Sequence, residues 1–220
     1  MPRVILAVYL VVGALNVGAQ YFDIHDLHIY TKPLLMPLLI YHLYRYADGT
    51  ITLPRMLLAV SLFFCWIGDL LLMGSGDLYF LGGLVSFLIA HIFYGVVFYH
   101  ATHQKPKLKA LHLLPFLIYG ILILSVLIPR SGNLTFGIVI YAIGILVMAY
   151  LASIRRHVTS EMSFYLVLAG AILFVISDTL IALDKFYVPL ILSDVSIMTT
   201  YILAQLLIVR GVLIHKNQSL

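Results

Sequence analysis

A chain of 220 residues that is 63% hydrophobic and only 10% charged cannot clothe itself in a water-compatible surface, since soluble domains are nearer half apolar and a quarter charged. The net charge of +4 does not point to nucleic acid, because the basic residues lie in short stretches between apolar runs. A single cysteine, Cys65, excludes an internal disulfide framework or a CxxC pair, and the nine histidines fall at no zinc-motif spacing.

Eight apolar segments follow one another, each near the roughly 20 residues that cross a bilayer core. They are 4–21, 30–46, 53–73, 78–99, 108–128, 134–153, 163–183 and 189–213. The first has a rival reading: Arg3, an apolar run and Val17-Gly18-Ala19 resemble a signal peptide with its small-residue cleavage site. The second is the shortest. Pro33 suits its first turn, where spare N–H groups need no partner, and Pro37 should bend it. Connections are brief, as at 73–77, 129–133 and 184–186, with no linker or low-complexity tract.

Loop charges set the orientation. The side holding both termini carries Arg3, Arg45, Arg55, Lys105, Lys107, Lys109, Arg155, Arg156, Arg210 and Lys216; the other carries only Lys32, Arg130 and Lys185. That bias places both termini in the cytoplasm. The Lys105/Lys107/Lys109 cluster reads as part of this signal, with attraction to anionic lipid. The expected architecture is all-α: a polytopic membrane protein, a single transmembrane domain over 1–220 built as a bundle of eight helices. Its size and loops suit a bacterial inner membrane or a eukaryotic endomembrane.

In hydrocarbon the informative residues are the ionisable ones, because a mid-helix Asp costs roughly 2.5–3.5 kcal/mol and normally faces the bundle interior. Asp69 and Asp178 lie about one turn from the outer ends of the third and seventh segments, within similar local patterns, Ile67-Gly68-Asp69-Leu70 and Ile176-Ser177-Asp178-Thr179. Both segments run outwards, as a parallel duplication would require. Asp194 lies about one turn inside the eighth, which runs inwards.

Other polar residues gather on the same helices. Asn16 and Gln20 share a face of the first segment, and Lys32 begins the second. On the fourth, Phe80, Gly83, Phe87, His91, Tyr94 and Phe98 recur at helical spacing and form one face. Asp194, Tyr201 and Gln205 do so on the eighth. Snorkelling accounts for Lys32 and interhelical hydrogen bonding for His91 and Gln205 equally well, so these positions stay open between structure and substrate binding.

Three functions compete for this pattern. A metal centre needs converging histidines, and only His91 is deep. A proton-coupled transporter fits buried carboxylates and a repeat, but expects helices broken at the midplane. A lipid hydrolase fits paired carboxylates, while no GxSxG or HExxH supports a serine or zinc mechanism.

Five stretches in order resemble the YhhN family of membrane proteins: LHIYTKPLLMPLL around Lys32, WIGDLLLM around Asp69, FLGGLVSFLIAHIFYGVVF around His91 and Tyr94, GAILFVISDTLIALDKF around Asp178, and TTYILAQLLI around Tyr201 and Gln205. The resemblance implies an eight-helix fold and lysoplasmalogenase activity, the hydrolysis of the vinyl ether of an alkenyl lysophospholipid to a fatty aldehyde and a glycerophospho-base. It also implies that Asp69 and Asp178 are essential and that no cofactor or metal takes part. Lys32, Asn16, His91, Tyr94, Tyr201 and Gln205 are the candidates for substrate contact. A vinyl ether opens when its outer alkene carbon is protonated. Two desolvated carboxyls sharing one proton can supply the acid and steady the oxocarbenium ion that results.

Overall fold

The structure, a computed structural model, describes residues 2–46, 52–100, 102, 107 and 110–217. Lys105 and Lys109 of the basic cluster lie outside them. Eight α-helices form among the described residues, with no strand: α1 Pro2–Tyr21, α2 His25–Tyr46, α3 Leu53–Leu72, α4 Asp77–His100, α5 Ala110–Ser131, α6 Thr135–Ser153, α7 Glu161–Phe186 and α8 Ser193–Asn217. Short 3-10 turns, Gly132–Leu134 and Ile154–His157, flank α6.

Several boundaries differ from the sequence expectation. α2 begins at His25, so Pro33 lies inside the helix and Lys32 does not begin it. Only a three-residue turn separates α1 from α2; Asp23 takes a left-handed conformation (φ 55°) there, which Asp tolerates better than most residues. The 129–133 stretch continues α5 through Ser131. α7 runs on through Phe186, and the chain then turns where Asp184 accepts a hydrogen bond from the Leu190 N–H at 2.8 Å. α8 therefore starts at Ser193 rather than 189, and Asp194 sits exposed in its first turn, not one turn inside.

Six helical stretches of the described residues are long and apolar enough to cross a membrane, and one of them, Ala110–His157, holds both α5 and α6. Seven helices are accounted for in this way. α2 is not among them, because His25, Asp26, His28, Lys32 and Arg45 dilute its apolar character. The protein is thus an all-helical, polytopic membrane protein.

Neighbour packing runs in a closed cycle, α1–α2–α3–α4–α6–α7–α8 and back to α1, with α5 set against α6 and α7. Two antiparallel pairs are drawn especially close by small residues, which let membrane helices approach. In the α3/α4 pair, a Cβ at Gly68 would lie 2.6 Å from the Phe87 ring, and one at Gly83 would lie 3.4 Å from the Gly68 carbonyl. In the α7/α8 pair, a Cβ at Gly170 would meet the Ala204 carbonyl at 2.8 Å.

The proline pair in α2 is answered from α3. Pro37 has no N–H, so the carbonyl of Pro33 loses its helical partner. The Trp66 indole donates to that carbonyl at 2.9 Å. This tie fixes α2 against α3 one residue from Lys32 and three from Asp69.

Candidate active site

Asp69 projects from the last turn of α3 and is buried. The Tyr201 hydroxyl of α8 donates to its Oδ2 at 2.8 Å. Asp178, on α7, accepts from the Tyr141 hydroxyl of α6, and His91 of α4 places Nε2 3.8 Å from its Oδ2. The Asp178 side chain keeps only 9% of its surface exposed. Each carboxylate thus reaches across the bundle. Asp69 is held by a tyrosine of α8 and Asp178 by a tyrosine of α6, with His91 of α4 close by.

A layer of rings fills the space between them. Phe174 lies one turn before Asp178 on the same face of α7, as the i, i+4 spacing dictates. Its ring meets His91 edge-on at 4.7 Å, Tyr201 at 5.4 Å and Phe87 at 6.2 Å. Edge-to-face contacts at these distances are favourable, and they lock the rotamers of the acid-bearing partners. The contacts run from Asp69 through Tyr201, Phe174 and His91 to Asp178.

The face expected on α4 is present, with Phe80, Gly83, Phe87, His91, Tyr94 and Phe98 all buried. Tyr94 donates to Gln205 Oε1 at 2.5 Å, tying α4 to α8, and Cys65 lies beside both. His91 is buried and neither ring nitrogen has a hydrogen-bond partner; 3.8 Å is too long for one.

Asn16 is not brought to this group. It joins α1 to α2, donating to Thr31 Oγ1 at 2.8 Å, while Gln20 meets His28 Nδ1 at 2.9 Å. Lys32 is half-buried and within electrostatic reach of both Asp69 and His28. Tyr141 and Phe174 were not among the sequence candidates. The i, i+4 relation to Asp178 could have found Phe174; nothing in the uniformly apolar α6 marks Tyr141.

The cavities separate into polar and apolar spaces. At the end of the bundle far from the termini, a mouth of about 340 Å³ is lined by Gln20, Asp23, His25, His28 and Asp194, with Leu72 and Met73. Leu72 also walls a narrow apolar cleft of about 40 Å³, which passes Phe80, Phe87 and Tyr141 to Asp178. A second narrow cleft reaches Asp178 and Tyr141 from the α5 side, past Tyr119. The polar mouth and the apolar cleft thus have Leu72 as a common wall.

Residues 27–212 match the model of the YhhN family. The chain is 32% identical over 152 residues to a protein named lysoplasmalogenase TMEM86A from Bos taurus. It is 33% identical over 153 residues to one of the same name from Homo sapiens. Each alignment covers 68% of this chain and 62% of the relative, so the matched region spans somewhat under two thirds of those proteins' length. No solved structure matches the chain.

Proposed function

The chain belongs to the YhhN family, and from that premise we propose that it hydrolyses the vinyl ether bond of an alkenyl lysophospholipid within the membrane. The observation that carries this reading is the placement of Asp69 and Asp178 inside the bundle, joined through one layer of rings. Both are tied to tyrosines inside the bundle, and the second lines an apolar cleft that shares Leu72 with the polar mouth. The names borne by the relatives support the same substrate class.

In this reading the polar end of the lysolipid rests in the mouth, Lys32 attracts its phosphate, and the alkenyl chain follows the cleft past Asp178. A carboxyl proton goes to the outer alkene carbon, leaving an oxocarbenium ion. Water adds to the carbon that bears the oxygen, and its released proton returns to a carboxylate. The hemiacetal then collapses, its C–O bond to glycerol breaking to give aldehyde and alcohol, so that one water is consumed. Asp178 is the group that lines the cleft and takes the role of acid. Asp69, fixed by Tyr201, stabilises positive charge and holds the second proton position. Tyr94, Gln205 and Tyr201 keep the ring layer in register around the substrate. Asn16 acts through the α1/α2 junction that shapes the mouth.

Eight membrane crossings within a single transmembrane domain, α2 included, with both termini cytoplasmic, complete the proposal. Reporter fusions at residue 220 should score as cytoplasmic, and an external C-terminus would reverse the orientation. The defining test of function is purified protein incubated with an alkenyl lysophospholipid, with fatty aldehyde as the readout. Wild type should release aldehyde, and Lys32→Ala should raise KM with little change in kcat. An unchanged KM in the folded variant removes Lys32 from the site. A proton-coupled carrier or a lipid-binding protein would release no aldehyde at all.

A further inference from the structure

Between α4 and α6 lies a third apolar space, a groove of about 380 Å³ lined by His91, Gly95 and Tyr99 on one side and Gly144, Val147 and Leu151 on the other. We propose that this groove receives the long-chain aldehyde product, its chain along α4 and its carbonyl oxygen on the His91 ring, and releases it into the half of the membrane nearer the termini. The assignment rests on the hydrolase reading above.

Position is the first argument. His91 closes the inner end of the groove and stands 3.8 Å from Asp178, so the groove starts beside the reacting carboxyl. From His91 it follows α4 to His100, nine residues or about 14 Å at 1.5 Å per residue. That is room for an extended run of methylenes. It leads away from the polar mouth, which lies at the opposite end of the bundle.

Chemistry is the second. The groove is apolar along its length, with polar groups only at its ends: His91 inside, Tyr99 and His100 at the rim. A phosphate has no cation to meet at the inner end. A chain with one neutral acceptor at its head fits instead. His91 lines the groove, but both ring nitrogens are buried without a hydrogen-bond partner; an unmatched buried donor is costly, and a turn of the ring towards the groove would present one there. An aldehyde carbonyl supplies the acceptor. The reaction produces that group within reach of His91, so the two products part in opposite directions, the glycerophospho fragment through the mouth and the aldehyde through the groove.

The test reads binding without turnover. Wild-type protein in nanodiscs is irradiated with hexadecanal carrying a diazirine in its chain, and adducts are mapped by mass spectrometry. Adducts should concentrate within 92–99 and 144–151 and fall about tenfold with excess unlabelled hexadecanal, but not with hexadecane. Val147→Trp fills the groove at a lipid-facing position and should lower labelling about tenfold. His91→Phe, which keeps a ring against Phe174, should do likewise, and His91→Gln, which keeps a donor, should restore it. Adducts spread evenly over the outward faces of all helices, or labelling unmoved by Val147→Trp, overturn the proposal. Label position bears on the groove alone. Absence of aldehyde release from an alkenyl lysolipid bears on the hydrolase reading alone.

Discussion

Asp69→Asn and Asp178→Asn should each lower aldehyde release by about 10²–10⁴-fold, the usual worth of general acid–base assistance. That is about 3–5 kcal/mol of barrier at 1.36 kcal/mol per decade. Asparagine retains an oxygen that can accept from Tyr201 or Tyr141, so the ring layer and the fold should persist. What is lost is the proton that the carboxyl can give or take. Because the two groups act as a unit, the double variant should be scarcely slower than either single one. Binding of a saturated ether lysolipid, which cannot react, should change little, since its chain and phosphate meet other side chains. The measurement is aldehyde release by the three purified variants beside wild type, with lysolipid binding followed in parallel. Wild-type rates in both single variants would sink the mechanism, and a well-folded wild type that releases no aldehyde would turn the reading towards a carrier.

Gly170→Leu is expected to have the largest effect on stability. An added Cβ would lie 2.8 Å from the Ala204 carbonyl and 3.0 Å from the Ile208 N–H. Both are backbone atoms and cannot swing aside, so α7 and α8 must separate. Overpacking typically costs 1–3 kcal/mol, and a clash with backbone belongs at the upper end, about 3 kcal/mol. Phe174 and Asp178 lie on α7 and Tyr201 on α8, so the same shift should loosen the site. Gly18→Ala is the matched control, for nothing lies within 4 Å of its Cβ position. There the gain in helix propensity of up to about 1 kcal/mol stands alone. Thermal unfolding of both variants in detergent decides the matter; equal midpoints would show that α7 and α8 tolerate separation.

Much of this arrangement is visible in the sequence because bilayer physics leaves few options. Apolar runs of fixed length mark the helices, and an aspartate inside one is too costly to be idle, which is why Asp69 and Asp178 stand out. The α4 face was legible for a similar reason: six residues at helical spacing on one helix are buried together. The start of α2 was not, because His25, Asp26 and His28 look like loop, yet they form a helical turn at the wet end of the bundle. Asp194 misled in the opposite sense, since a carboxylate in a helix's first turn is ordinary surface chemistry. Tyr141 was hidden by its setting. A tyrosine among the valines and isoleucines of α6 carries no periodic mark, and its meaning arises only when α6 packs beside α7. The pairing of Asp69 with Tyr201 of α8 and of Asp178 with Tyr141 of α6 is likewise a property of packing, not of any one helix.

Trp66 gives the molecule a light source of its own. It is the only tryptophan in the chain, and its indole N–H is engaged with the Pro33 carbonyl, between Lys32 and Asp69. Indole emission is sensitive to the polarity and charge around that nitrogen. Any event that moves α2 against α3, or brings an anion to Lys32, therefore changes the colour or yield of the whole protein's fluorescence, with no second tryptophan to dilute it. The proposed capture of a lysolipid should therefore be visible in unlabelled protein, in real time, before any bond is broken.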